Sequence, residues 1–269
     1  MNYLQAILIA IVEGLTEYLP VSSTAHMIFT SSFFGIQEDD FVKLFQVSIQ
    51  FGAILAVVVL YWKKFFDFSK INFYIKLACA VIPALILGKL FDDKIDTILG
   101  NPIPIAVVLI LGGIVLLFID NQFKNPTVTK EEDITIKKAV TIGFWQCLAM
   151  MPGTSRSAAS IIGGMQQGLD RQTAAEFSFF LAVPTMLAVT TYSLFLKTYE
   201  VSQLKGYELL TQSSENLKMF LIGNFVAFIV AVIAIKFFIG IIKKFGFKPW
   251  GYYRIIAGIL LLAYFSLNK

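Results

Sequence analysis

The residues that could do chemistry in this 269-residue chain fall in two short polar clusters, each inside an apolar stretch. The first cluster combines acids, hydroxyls and the single histidine of the chain: Glu13, Glu17, Ser22, Ser23, Thr24 and His26. The second combines a glycine, hydroxyls and an arginine: Gly153, Thr154, Ser155, Arg156 and Ser157. Carboxylates suit a hard cation, whereas arginine, hydroxyls and free helix N–H groups suit an anion. Together the clusters are typical of a site that holds a phosphorylated ligand at a divalent cation.

Glu13 and Glu17 are spaced four residues apart, so on a helix they lie on one face. Two carboxylates in an apolar helix are costly unless they are paired, protonated or bound to a cation. We therefore predict that Glu13 and Glu17 bind Mg²⁺ or Ca²⁺, because hard cations prefer oxygen ligands. The alternatives are charges at the aqueous end of a helix, or partners of a buried arginine.

His26 and Arg156 each have a structural and a functional interpretation. His26 could be a satisfied core residue, but it follows the serines by about one helical turn, and imidazole suits proton transfer near neutral pH. Arg156 needs an anionic partner at membrane depth. That partner is either a glutamate of the first cluster or a ligand phosphate gripped by two bonds. The hydroxyls at residues 22–24 also suit a helix N-cap, which leaves free N–H groups for an anion.

The composition of the chain indicates what must position these clusters. Hydrophobic residues make up 57% of the chain and charged residues 15%, whereas a soluble domain has about 25% charged residues. So few charges exclude an ordinary soluble enzyme, a disordered chain and a nucleic-acid-binding protein. The lipid bilayer is therefore the expected surrounding of the chain.

The apolar stretches predict an all-α polytopic membrane protein with six transmembrane helices, because each span needs about 20 apolar residues. We place the spans at residues 47–62, 75–91, 102–119, 173–196, 218–242 and 250–267. Three loops are rich in lysine: 63–76, 120–138 and 243–249. By the positive-inside rule these loops are cytoplasmic, and both ends of the chain then lie outside.

Two further apolar regions, 4–35 and 139–168, are each broken by a polar turn into pieces too short to cross a bilayer. Each is predicted to be a re-entrant helix hairpin, whose turn must be surrounded by protein or water. One hairpin and three spans make up residues 1–119, a linker covers 120–138, and the same order repeats in 139–269. The first hairpin is entered from outside and the second from inside, so the halves form an inverted-topology repeat. Such repeats place the site where the hairpin tips meet.

The two turns are also similar to each other in sequence. Residues 20–24, Pro-Val-Ser-Ser-Thr, pair with residues 152–156, Pro-Gly-Thr-Ser-Arg. This pairing sets Ser23 against Ser155.

The two clusters resemble the signatures of a known family, the undecaprenyl-pyrophosphate phosphatases of the bacitracin-resistance type. The first signature is similar to residues 13–26, Glu-Gly-Leu-Thr-Glu-Tyr-Leu-Pro-Val-Ser-Ser-Thr-Ala-His. The second is similar to residues 152–157, Pro-Gly-Thr-Ser-Arg-Ser, and continues through residues 176–184. Ser160 departs from the pattern, in which threonine is expected, but it retains the hydroxyl.

The resemblance implies hydrolysis of undecaprenyl pyrophosphate to undecaprenyl phosphate and inorganic phosphate in a bacterial plasma membrane. This reaction recycles the lipid carrier for peptidoglycan synthesis, and it confers bacitracin resistance because the drug sequesters the substrate. The resemblance places the cation at Glu13 and Glu17, and catalytic roles at Glu17, Ser23, His26 and Arg156. Phosphate binding is assigned to Ser22, Thr24, Gly153, Thr154, Ser155, Arg156 and Ser157.

Several alternatives stay open for the mechanism and the function. Ser23 could be the nucleophile with His26 as its base, or His26 or a glutamate could activate water directly. The competing function is a flippase for polyprenyl phosphate, because the inverted repeat and the phosphate site also suit transport. A type-2 phosphatidic acid phosphatase needs two histidines and is excluded. We expect the site to open to the outer side, and a homodimer is compatible with the sequence.

Overall fold

The computed structural model describes residues 1–99 and 101–267, and side chains everywhere in these ranges except at 92–99. Within these residues the protein consists of helices joined by turns and loops, without a β-strand. The all-α fold is therefore confirmed. The helices are α1 (Tyr3–Thr16), α2 (Ser23–Phe33), α3 (Asp40–Ser48), α4 (Gln50–Leu60), α5 (Trp62–Phe65), α6 (Ile71–Leu99), α7 (Pro102–Gln122), α8 (Ile136–Gln146), α9 (Arg156–Gln166), α10 (Arg171–Phe195), α11 (Gly206–Thr211), α12 (Ser214–Phe245) and α13 (Lys248–Leu267).

Six segments of the described residues are long and apolar enough to cross a membrane, which confirms a multi-pass membrane protein with the predicted number of spans. They are Asp40–Leu60, Ile71–Phe91, Pro102–Gln122, Arg171–Phe195, Ser214–Phe245 and Lys248–Leu267. The first span begins earlier than predicted, because the Asp39 carboxylate accepts the N–H groups of Phe41 and Val42 and starts α3 there. It also consists of two helices, with α3 ending at Ser48 and α4 beginning at Gln50.

The two regions predicted to be hairpins each form a pair of short helices. The first helix pair, α1 and α2, is joined by a turn over residues 17–22, and the second, α8 and α9, by residues 147–155. Helix α1 has 14 residues, and α2, α8 and α9 have 11 each. At 1.5 Å per residue none of them covers a hydrocarbon core of roughly 30 Å. Their re-entrant, inverted placement in the bilayer stays a prediction.

The three lysine-rich loops lie at one end of the molecule and contact one another. Lys76 Nζ lies 3.3 Å from Glu131 Oε1 and also donates to the carbonyl oxygen of Glu132 at 3.0 Å. The Phe247 N–H donates to the Asp120 carboxylate at 2.7 Å. Because these contacts join loops 63–76, 120–138 and 243–249, the prediction that they share one side of the membrane is supported.

The opposite end of the molecule holds the N-terminus and the loops that flank α11. The amino group of Met1 lies 3.7 Å from an Asp39 carboxylate oxygen. Asp40 Oδ2 accepts the backbone N–H of Ser202 at 2.6 Å, and Tyr3 donates its hydroxyl proton to Glu215. The two ends of the fold are thus fastened by separate sets of polar contacts.

Close helix contacts in the membrane part depend on small residues. A Cβ atom at Gly52 of α4 would lie 2.2 Å from the carbonyl oxygen of Asn224 in α12. The side chain of Asn224 also accepts the Gly52 N–H at 2.8 Å. Small residues and interhelical hydrogen bonds of this kind hold membrane helices together, because lipid offers no hydrophobic drive for their association.

We expect Gly52→Ala to lower the free energy of unfolding by about 1 to 3 kcal/mol, because the added methyl group overpacks the contact between α4 and α12. The measurement is the melting temperature of the purified protein in detergent. The matched control is Gly240→Ala in α12, where a Cβ meets no atom within 4 Å. The control is expected to melt at or above the wild-type temperature, since alanine favours a helix over glycine. Equal melting of both variants would contradict the close approach.

Candidate functional site

The turns of the two helix pairs meet, and each leads into a helix with the same cap. The Ser157 hydroxyl donates to the Leu19 carbonyl oxygen of the first turn at 2.8 Å. Ser22 caps α2 with a φ of 69°, and Ser155 caps α9 with a φ of 74°. Such left-handed values are uncommon outside glycine, and strained residues of this kind cluster at functional sites. Two helix N-termini, each with free N–H groups, therefore begin side by side.

The matching caps correct the alignment of the two turns. The sequence pairing sets Ser23 against Ser155, whereas the structure pairs Ser22 with Ser155 and therefore Ser23 with Arg156. The second turn has one more residue between its proline and its cap than the first turn. Gly153, with a φ of 95°, accommodates the longer turn.

Glu17 connects the first residues of these two helices. Its Oε2 accepts the Ser23 hydroxyl proton at 2.6 Å, and its Oε1 lies 2.7 Å from Arg156 Nη2. Arg156 also donates to the Ser178 carbonyl oxygen at 2.8 Å, and its guanidinium lies over the Tyr18 ring. A hydroxyl, a carboxylate that accepts its proton and a group that orients the carboxylate are the parts of an activated nucleophile. The structure thus brings together three of the predicted catalytic residues.

Glu13 lies one helical turn before Glu17 and is fully buried. Neither of its carboxylate oxygens has a hydrogen-bond partner among the residues that the structure describes. An unpartnered buried carboxylate is costly, and a bound cation or a proton shared with Glu17 would remove that cost. The oxygens of Glu13, Glu17 and Ser23 fit a hard cation such as Mg²⁺ or Ca²⁺.

The glutamates do not form a complete metal site by themselves. In the described ranges, no group of three or more His, Cys, Asp or Glu side chains is placed to hold a metal. A cation at Glu13 and Glu17 would therefore take its remaining oxygens from Ser23, from water or from the phosphate of a ligand.

His26 is half-buried on α2 and turned towards α13. Its Nδ1 lies 2.8 Å from the Ser22 carbonyl oxygen, and its Nε2 lies 2.7 Å from the Tyr253 hydroxyl. The two rings are stacked with centroids 5.6 Å apart. Both ring nitrogens are therefore engaged away from Ser23, and the proton transfer assigned to His26 stays a prediction.

A cavity of about 500 Å³ opens beside Glu17 and Arg156. Its polar wall consists mostly of predicted site residues: Glu17, Ser22, Ser23, Thr24, Gly153, Ser155 and Arg156. Gln146 adds a side-chain oxygen that has no hydrogen-bond partner among the described residues. The rest of the wall is largely apolar and comes mainly from α6 and α10. A polar end and an apolar wall suit an anionic headgroup attached to a lipid.

Two predicted phosphate-binding residues and one predicted cation ligand lie outside this wall. The backbone carbonyl of Thr154 accepts a hydrogen bond from Arg254, and the Ser157 hydroxyl donates to the Leu19 carbonyl oxygen of the first turn. Glu13 is fully buried and does not itself line the cavity. Ser157 therefore holds the two turns together in this structure.

Arg254 of α13 was missed by the sequence analysis, although it joins both turns. Its side chain is 0% exposed and it donates to five backbone carbonyl oxygens: Pro20, Val108, Leu109, Gly153 and Thr154. The bonds to Pro20 and Gly153 are 3.0 Å and 2.8 Å long. A signal was present in the sequence, because an arginine inside an apolar span is expensive and usually functional or paired.

The fold and the site define a class of protein: a multi-pass helical membrane protein with a polar, arginine-containing cavity at two converging helix N-termini. The chain belongs to the bacitracin resistance protein BacA family, whose model matches residues 6–260. The family resemblance found in the two signatures is thereby confirmed.

Curated relatives cover nearly the whole chain. An undecaprenyl-diphosphatase of Flavobacterium psychrophilum is 56% identical over 262 residues, which is 97% of this chain and 95% of the relative. An undecaprenyl-diphosphatase of Porphyromonas gingivalis is 50% identical over 279 residues, covering 97% and 96% of the two chains. One of Bdellovibrio bacteriovorus is 47% identical over 264 residues, covering 97% and 95%.

Proposed function

We propose that this protein hydrolyses undecaprenyl diphosphate to undecaprenyl phosphate and inorganic phosphate. The observation that carries the proposal is the pair of contacts made by Glu17. It accepts a hydrogen bond from the hydroxyl of Ser23, the first residue of α2, and forms an ion pair with Arg156, the first residue of α9. Membership of the BacA family and the names of the relatives support the same reaction. The activity recycles the lipid carrier for cell-wall synthesis and confers resistance to bacitracin.

The phosphate groups bind at the polar wall of the cavity. Phosphoryl transfer needs positioning and neutralisation of charge on the transferring oxygens rather than elaborate covalent chemistry. The Arg156 guanidinium and the free N–H groups at the starts of α2 and α9 supply that positive field. The apolar walls of α6 and α10 accommodate the beginning of the prenyl chain.

Ser23 is the nucleophile in this proposal, with Glu17 as its proton acceptor. The Ser23 oxygen attacks the terminal phosphorus, its proton passes to Glu17, and the bond to the bridging oxygen breaks to release undecaprenyl phosphate. Water then cleaves the phosphoserine and releases inorganic phosphate. The 2.6 Å hydrogen bond between Ser23 and Glu17 favours this route over His26, whose ring nitrogens contact Ser22 and Tyr253. Direct attack by water activated at Glu17 is the alternative.

Glu13 and Glu17 would hold a divalent cation in this site. Bound there, the cation supplies positive charge to the transferring phosphoryl oxygens. The unpartnered oxygens of Glu13 support this assignment, because hard cations prefer oxygen ligands.

The cavity opens to the outer side of the bacterial plasma membrane in this proposal. The lining residues of α6, from Ala84 to Lys89, lie late in its predicted span at residues 75–91, and those of α10, from Thr185 to Tyr192, lie late in that helix. Both helices begin near the lysine-rich loops, which the positive-inside rule assigns to the cytoplasm. The division into inverted halves, 1–119 and 139–269, and a homodimer also stay predictions.

The test is phosphate release from undecaprenyl diphosphate by the purified protein in detergent. We expect release with Mg²⁺ or Ca²⁺ present and a loss of at least about a hundredfold with a chelator, since the carboxylate pair alone lacks the cation's charge. Restoring the cation is expected to restore release, which separates removal of the ion from unfolding. A flippase releases no phosphate in detergent. An absence of phosphate release from the folded protein would therefore contradict hydrolysis. Unchanged release with the chelator would contradict the role of the cation but not the hydrolysis itself.

A further inference from the structure

We propose that Lys89 is a specificity-determining residue that binds the diphosphate headgroup of the lipid at the mouth of the cavity. This inference rests on the proposed function, and it assigns a role to a residue outside both polar clusters.

The position of Lys89 on α6 places it at the rim of the cavity. Ala84, Leu85, Gly88 and Lys89 line the cavity wall, a spacing that puts them on one face of the helix. Lys89 is the last of the four along α6, two residues before the end of the apolar run predicted to span the membrane at residues 75–91, and its side chain is exposed. The rim therefore lies near the depth at which lipid phosphates and lysine ammonium groups meet at a membrane interface.

Among the described residues that line the cavity, Lys89 carries a positive charge without an anionic partner. The charged lining residues in the described part of the chain are Glu17, Lys89 and Arg156. Before a ligand binds, Glu17 and Arg156 form an ion pair at 2.7 Å. Lys89 has no hydrogen-bond or ion-pair partner among the described residues. Its ammonium is thus the uncompensated positive charge of the described cavity wall.

The surroundings of Lys89 suit a lipid whose head is a diphosphate. Leu85, Val189 and Leu196 line the same part of the cavity and are themselves exposed, so that they offer apolar surface to a prenyl chain. A lysine stem packs along such surface while its ammonium stays with the polar group. A diphosphate carries more negative charge than the monophosphate product, so a cation at the rim favours substrate over product.

We expect Lys89→Gln to raise KM for undecaprenyl diphosphate about tenfold, the value of one hydrogen bond to a charged group, with kcat changed less than about twofold. Lys89→Arg keeps the charge and is expected to restore KM to within about threefold of wild type. Inhibition by undecaprenyl monophosphate is expected to weaken less than substrate binding, because the product carries less charge.

The matched control is Lys218→Gln, which removes the same charge near the N-terminus of α12, outside the cavity lining. An unchanged KM in Lys89→Gln would overturn the proposal, as would an equal rise in Lys218→Gln or a loss confined to kcat. Retention of labelled undecaprenyl diphosphate by the same variants tests the contact without turnover. Wild-type protein that retains the lipid but releases no phosphate would overturn the proposed hydrolysis, whereas weaker retention by Lys89→Gln would still support the contact.

Discussion

The Glu17→Gln variant is expected to release phosphate about a hundred to ten thousand times more slowly than wild type, the range typical of lost proton transfer. An amide keeps the size of the side chain, but it is not a base for the Ser23 proton and it does not neutralise Arg156. The measurement is kcat for undecaprenyl diphosphate in detergent. The melting temperature is measured alongside, because a buried guanidinium without its carboxylate also lowers stability.

Glu176→Gln is the matched control for this variant. Glu176 is also a glutamate of the membrane part, but it is half-buried, and its carboxylate accepts a hydrogen bond from Gln172, one turn before it on α10. The control is expected to keep kcat within about threefold of wild type, since a side-chain hydrogen bond between residues four apart on one helix contributes little to stability. If Glu17→Gln retains wild-type turnover, Glu17 is not the proton acceptor, and water or His26 must take that part.

The Arg254→Met variant is expected to be the least stable and to lose activity with its fold. Methionine fills much of the space, but it leaves the carbonyl oxygens of both turns and of α7 without their donor. Each buried acceptor left unsatisfied costs about 1 to 3 kcal/mol. Water that enters the site recovers part of this cost. We therefore expect a large fall in the melting temperature in detergent, together with loss of phosphate release.

Two further variants locate the cause of that fall. Arg254→Lys supplies three donors in place of five and is expected to melt between wild type and Arg254→Met. Arg171→Met removes an exposed arginine that pairs with Asp120, and it should change the free energy of unfolding by less than about 1 kcal/mol. Wild-type melting of Arg254→Met would show that the turns hold their shape without this side chain.

The spans and the two helix pairs could be predicted from the sequence, because hydropathy and helix length act locally along the chain. Each span needs about 20 apolar residues. The turns at Pro20 and Pro152 divide two further apolar stretches into pieces that are too short to span the membrane. Clustering of Glu17, Ser23 and Arg156 was predicted from the chemistry of the two clusters. The actual hydrogen bonds among these three residues depend on how the two turns pack together, which local sequence patterns do not predict.

The remaining features depend on contacts between distant parts of the chain. The change from α3 to α4 at Ile49 has no glycine or proline to mark it. The pairing of Ser22 with Ser155 follows from the left-handed backbone of the two caps, which the sequence pairing by prolines does not reveal. Arg254 lies about 100 residues or more from the turns it binds, so local patterns along the sequence do not connect them.

The ion pair between Glu17 and Arg156 has a consequence for the end of the catalytic cycle. A free phosphate ion must displace a carboxylate that belongs to the same chain and is therefore always present at high effective concentration. The lipid diphosphate overcomes this internal competitor because burial of its prenyl chain adds affinity that inorganic phosphate lacks. The carboxylate thus helps to expel the small product, and the site is ready again without a separate step to clear it.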